Sequence, residues 1–151
     1  MLIHPGRDPR APKEALAIVE EENGDISRTI MSHIDRTLFT LESMIEVAKT
    51  GCILEFDLFG QESSYYPIPP IDLPNDGTRI DYIQELIGKG YLNNLVISQD
   101  IGNKIHLKKY GGSGYGHILE SVLPLMERKG LTHEEIRALV DRNPTRLLTF
   151  V

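Results

Sequence analysis

The strongest constraint on the fold is an alternation. Short apolar runs and amphipathic helical stretches follow one another four times along the chain, and strands alternating with helices specify a parallel sheet. The runs are Met1 to His4, Thr29 to His33, Cys52 to Asp57 and Leu95 to Asp100. Between them, Lys13 to Glu22 carries Ala15, Leu16, Ile18 and Val19 at helical spacing. Leu41 to Thr50 does the same with Leu41, Met44, Ile45 and Ala48, and Arg79 to Lys89 with Ile80, Ile83, Leu86 and Ile87. His117 to Lys129 reads as a further helix. Thr132 and Glu135 then form a capping box for a last helix, which Asn143-Pro144 is expected to stop at Arg142. Each strand–helix unit takes about 35–40 residues, near the unit size of a (β/α)8 barrel. Four units make half of such a barrel. The rival is an open α/β sheet of four strands that stands by itself.

Other classes fall away on composition. The 151 residues are expected to form one partial domain over 1–151. Sixteen basic against 22 acidic residues give a net charge of −6, which disfavours non-specific binding to nucleic acid. No stretch approaches the roughly 18 apolar residues of a membrane span. The single cysteine, Cys52, excludes an intramolecular disulfide framework and a multi-cysteine zinc site. The cytoplasm is the expected compartment.

In parallel α/β folds the chemistry sits at the carboxyl ends of the strands. Here those ends carry His4, His33, Asp57 and Asp100. Imidazoles and carboxylates are the usual ligands of zinc and related divalent metals, so His4, His33 and Asp100 are candidate metal ligands. A lone strand-end histidine is more often a hydrogen-bonded packing residue, but two in register with a carboxylate favour a metal. Long loops follow the third and fourth strands, from Leu58 to Gly77 and from Ile101 to Gly116. They share the face of these residues, as substrate loops do. Tyr65, Tyr66, Tyr110, Tyr115 and Lys108 are candidate substrate contacts. The tyrosines could equally pack the loops onto the body, and surface lysines are more often solvated. The glycines at 111, 112 and 114 make a tight loop and no phosphate cradle.

Several segments together resemble the phosphotriesterase family of the amidohydrolase superfamily. They are Ile3-His4-Pro5-Gly6-Arg7, Met31-Ser32-His33-Ile34-Asp35-Arg36-Thr37, Leu54-Glu55-Phe56-Asp57, Ile97-Ser98-Gln99-Asp100 and the closing Asn143-Pro144-x-x-Leu147-Leu148. Tyr110-Gly111-Gly112-x-Gly114-Tyr115-x-His117 and Cys52 to Gly60 are similar to its phosphotriesterase-related branch. The resemblance implies the C-terminal half, strands five to eight, of a metal-dependent TIM barrel with two divalent metals, of the zinc type, at its mouth. His4 and His33 would hold the more exposed metal. Asp100 would hold the buried one and act as a base, with Asp35 and Asp57 assisting as further catalytic carboxylates. The family's first-strand His-x-His and its bridging lysine have no counterpart here, so at most one metal is expected to stay with this half. The implied reaction is attack by metal-activated hydroxide on an amide or ester of a small N-acyl amino acid of the N-acetyltaurine kind. Leu58 stands where organophosphate-cleaving members carry a histidine, which weakens an organophosphate or lactone hydrolase reading. By itself the half is expected to be inactive. Its expected partners are a small-molecule substrate and either the missing N-terminal half or a second copy, and a non-catalytic regulatory half-barrel is the alternative.

Overall fold

In the computed structural model, which describes residues 1–63 and 72–150, the chain forms a four-stranded parallel sheet in the order β1-β2-β3-β4. The strands are β1 (Leu2–Ile3), β2 (Ile30–Met31), β3 (Ile53–Phe56) and β4 (Leu95–Ile97). Leu2 pairs with Ile30, Ile30 with Ile53, and Leu54 with Leu95. Helices α1 (Ala11–Glu21), α3 (Leu41–Ala48) and α4 (Asp76–Gly88) make the crossovers, with a single turn α2 (Ile34–Thr37) ahead of α3. Helices α5 (Leu123–Arg128), α6 (His133–Arg137) and α7 (Asn143–Leu148) close the chain.

The period of two along each strand divides the sheet into two faces. Met31, Leu54, Phe56 and Leu95 meet Leu16, Met44, Ile80, Ile83 and Met126 from the helices in one core. The other face carries Leu2, Ile30, Ile53, Glu55, Val96 and Ser98. In this half (β/α)8 barrel it corresponds to the interior. Thr40 caps α3 and Asn75 caps α4, each side chain accepting a backbone N–H three residues on. The capping box at Thr132 and Glu135 is present as expected.

The end of the chain departs from the sequence expectation. Asn143-Pro144 does not stop the last helix, which runs on through Leu148. The preceding turn, Ala138–Arg142, has π spacing, and the same device, Ile118–Val122, precedes Pro124. A wider turn relieves the helix of the hydrogen bond and the room that a proline ring would take. No helix among the described residues is long and apolar enough to cross a membrane.

Candidate metal centre

The cleft at the strand ends, about 320 Å³, is lined by Leu2, His4, Ser32, His33, Glu55, Asp57, Ser98 and Asp100. Three of the strands contribute a residue and the one two positions on, which is what alternation delivers to a single face. His4 follows β1 directly and Asp57 follows β3 directly. His33 and Asp100 sit just beyond β2 and β4 in left-handed backbone conformations, with φ of 55° and 45°. Asn23 is the one other non-glycine residue with positive φ among those described. Such strain tends to collect at functional sites.

The two histidines converge. His4 Nδ1 and His33 Nε2 lie 2.7 Å apart, with ring centroids separated by 4.3 Å. Asp57 receives both the His33 backbone N–H (3.0 Å) and, through Oδ1, the ring Nδ1 (2.9 Å). Arg36 Nη2 stands 3.0 Å from His4 Nε2. A guanidinium can only donate, which assigns the tautomers. Arg36 donates to His4 Nε2, His4 Nδ1–H to His33 Nε2, and His33 Nδ1–H to Asp57. Burial, then the neighbouring His33 and Arg36, pulls the His4 pKa below its ordinary value. In this arrangement each ring accepts a hydrogen bond at Nε2 and carries its proton on Nδ1.

This donor set fits a divalent ion in part. Two neutral imidazoles face each other nitrogen to nitrogen, and one has a carboxylate fixed behind it, the usual support for a ligating histidine. For His4 to ligate through Nδ1 its proton would have to move to Nε2, where the Arg36 donor would have to give way. Asp100 lines the same cleft from the exposed side. No three His, Cys, Asp or Glu side chains among the described residues already stand in ligating array.

Glu55 was not singled out from the sequence. It lies two residues below Asp57 on the cleft face, and Ser98 Oγ donates to it at 3.1 Å. Burial, reinforced by Asp57, raises its pKa to about 7. The clue was available: Glu55 is the one charge inside an otherwise apolar strand. A carboxyl with a raised folded pKa weakens the fold as pH climbs from its ordinary 4.5 through about 7. Glu55→Gln should therefore stabilise the chain at pH 8 by about 1 kcal/mol, after discounting for solvent screening. The gain should vanish at pH 4, read by urea unfolding at both values.

The remaining candidates lie elsewhere. Asp35 is fully buried and does not line the cleft. Arg79 Nε donates to its Oδ2 at 2.6 Å, as does the Leu58 N–H at 3.2 Å, and burial raises its pKa to about 6 despite the arginine. Arg79 also bonds Asp76 Oδ1 (3.0 Å) and the Gln61 carbonyl (2.8 Å), and His117 Nε2 meets Asp76 Oδ2 at 2.6 Å. This network sits behind the site, and sequence reasoning missed Arg79, Asp76 and His117. Lys108 is paired with Glu120. Tyr110 and Tyr115 are 51% and 75% exposed, and neither they nor Lys108 line the cleft. Tyr65 and Tyr66 lie outside the described residues.

Residues 1–148 match the phosphotriesterase family. A phosphotriesterase-related protein of Nematostella vectensis is 46% identical over 151 residues, covering 99% of this chain and 43% of that protein. The N-acetyltaurine hydrolase of Dictyostelium discoideum is 47% identical over 150 residues, covering 99% of this chain and 40% of its own length. The chain thus spans less than half the length of these relatives. Among solved structures, a resiniferatoxin-binding protein from Rhodobacter sphaeroides superposes with a TM-score of 0.87 at 30% identity, over 91% of this chain and 38% of that one. The Escherichia coli phosphotriesterase homology protein, with phosphate in its active site, gives 0.77 at 28% identity, over 91% and 44%. Strand-end histidines, sheet order and sequence match agree: the chain belongs to the phosphotriesterase family.

Proposed function

We propose that this chain supplies the exposed-metal side of a divalent-metal-dependent hydrolase acting on small N-acyl amino acids of the N-acetyltaurine kind. The observation that carries the reading is the facing pair His4 Nδ1 and His33 Nε2, with Asp57 fixed behind His33. His4 and His33 would hold one divalent ion, zinc being the natural choice for imidazole donors, and Asp100 would face a second. Divalent ions bound there supply Lewis acidity and a nucleophile usable at neutral pH.

The chain's own residues do the rest. Asp57 keeps the proton on His33 Nδ1 and so aims the Nε2 lone pair into the cleft. Arg36 orients His4. The exposed Asp100 carboxylate takes a proton from the attacking water and hands it to the departing amine nitrogen. Leu58, 1% exposed in the core, leaves no imidazole where organophosphate cleavage would use one.

The expected result is that the protein at its native length hydrolyses N-acetyltaurine, loses activity on dialysis against a chelator and regains it with a divalent ion. Turnover that resists chelation, or no turnover of any N-acyl amino acid, overturns the reading. A native mass of 17.0 kDa together with metal binding but no turnover would favour a non-catalytic half-barrel instead.

A further inference from the structure

Asp100 stands where the chain abandons strand geometry. The Ser98 N–H still donates to the Phe56 carbonyl across the sheet, at 3.0 Å. Two residues on, the backbone is left-handed, with φ of 45° at Asp100. Gln61 reaches this turn from the loop after β3. Its Nε2 donates to the carbonyls of Gln99 (2.8 Å) and Asp100 (3.1 Å). Those carbonyls belong to the two peptide planes that meet at the Asp100 Cα. The φ and ψ of Asp100 are the rotations between these planes, so one NH2 group bonded to both oxygens fixes the two angles together. An extended strand would send the two oxygens to opposite sides, beyond the reach of a single nitrogen.

Gln61 is itself anchored. Its N–H donates to the Leu58 carbonyl (2.9 Å), and its carbonyl accepts from Nη2 of the buried Arg79 (2.8 Å). On one side the Gly60 N–H donates to Asp76 Oδ1 (2.9 Å), and on the other Glu62 Oε1 accepts the Asp76 N–H (2.9 Å). Residues 60, 61 and 62 are thus tied in succession to the first turn of α4, and the amide at their centre is held out toward β4. A left-handed backbone is unfavourable for a residue with a Cβ, and two hydrogen bonds are of a size to offset it. His33, the other left-handed residue at a strand end, is held in a matching way: Asp57 Oδ2 accepts its backbone N–H at 3.0 Å. Both restraints come from the chain just after β3.

We propose that Gln61 is a positioning residue for Asp100, its amide holding the left-handed turn that presents the Asp100 carboxylate to the cleft. The inference rests on the proposed hydrolysis, in which Asp100 carries the proton. Gln61 acts only through the geometry of residue 100 and touches neither water nor amide. The role demands an NH2 group. Methionine has no donor to offer the two carbonyls, and a glutamate of the same shape sets oxygen against oxygen.

Two measurements on the protein at native length test it. The first is structural and needs no turnover. Crystal structures of Gln61→Met and Gln61→Glu should show residue 100 leaving positive φ and its carboxylate leaving the cleft, further in Gln61→Glu. Gln61 is half-buried, so both variants should fold, which urea unfolding checks. The second is kinetic. Gln61→Met should lower kcat for N-acetyltaurine by about 10–100-fold with KM held within about twofold. In an Asp100→Ala background, followed through its residual activity, the same substitution should cost no more than about twofold, because its route to the chemistry is already gone. Asp100 left-handed and in the cleft in both variants overturns the proposal, as does a full further loss of kcat on top of Asp100→Ala. Displacement of Asp100 in the variants, with no amide turnover by the unmodified protein, would leave the positioning standing and remove the reaction it serves. Turnover with Asp100 undisturbed in both variants would do the reverse.

Discussion

Replacing Arg79 by methionine is expected to lower stability by about 3–5 kcal/mol, the usual cost of removing one partner of a buried ion pair. Arg79 has no exposed surface. It holds Asp35 and Asp76 and packs over the Phe59 ring at 5.8 Å. Through its bond to the Gln61 carbonyl it also braces the residue whose side chain supports the Asp100 carbonyl. Methionine keeps most of the volume, so the loss reports the charge. Its pH dependence follows from Asp35. With Arg79 present, burial already lifts that carboxyl to about 6; without it, the folded pKa rises further. A folded pKa raised above the unfolded one costs nothing at low pH and weakens the fold as pH climbs. The defect in urea unfolding should therefore shrink at pH 4 and reach its full size above neutrality. A defect independent of pH would mean that Asp35 is not the charge left stranded.

If the proposed function holds, His33→Ala should abolish binding of a divalent ion at the His4–His33 pair and lower turnover of the protein at native length by about 10²–10⁴-fold, the equivalent of several kcal/mol of lost transition-state stabilisation. His33 touches His4 and Asp57 at once, so no other single truncation dismantles as much of the centre. Metal content measured after gel filtration, together with turnover of N-acetyltaurine, reads both effects. The truncated ring is small and borders an open cleft, so the fold should survive. Full metal content in His33→Ala would place the ligands elsewhere.

The sheet and the strand-end residues were legible because their signals are local. A run of apolar residues followed by His or Asp needs no partner to be recognised, and His4, His33, Asp57 and Asp100 do line one cleft. What was not legible depends on contacts distant in sequence. Asp35 reads as a carboxylate beside His33, but Arg79, 44 residues on, turns it away from the cleft. In the loop after β4, composition displays tyrosines and lysines, whereas the backbone turns His106 and Ser113 inward and leaves Tyr110 and Tyr115 in solvent. Glu55 escaped notice for a different reason. Its strand is too apolar to alternate cleanly, so the shared face of Ile53, Glu55 and Asp57 does not stand out.

The left-handed backbone at His33 and Asp100 sets durability against chemistry. A residue with a Cβ costs about 1–2 kcal/mol there relative to glycine. Variants selected for heat tolerance alone should therefore accumulate glycine at position 100, a drift that sequencing the survivors would reveal, whereas at position 33 the ring's bond to the buried Asp57 opposes the exchange. The same selection with substrate present should hold both positions fixed.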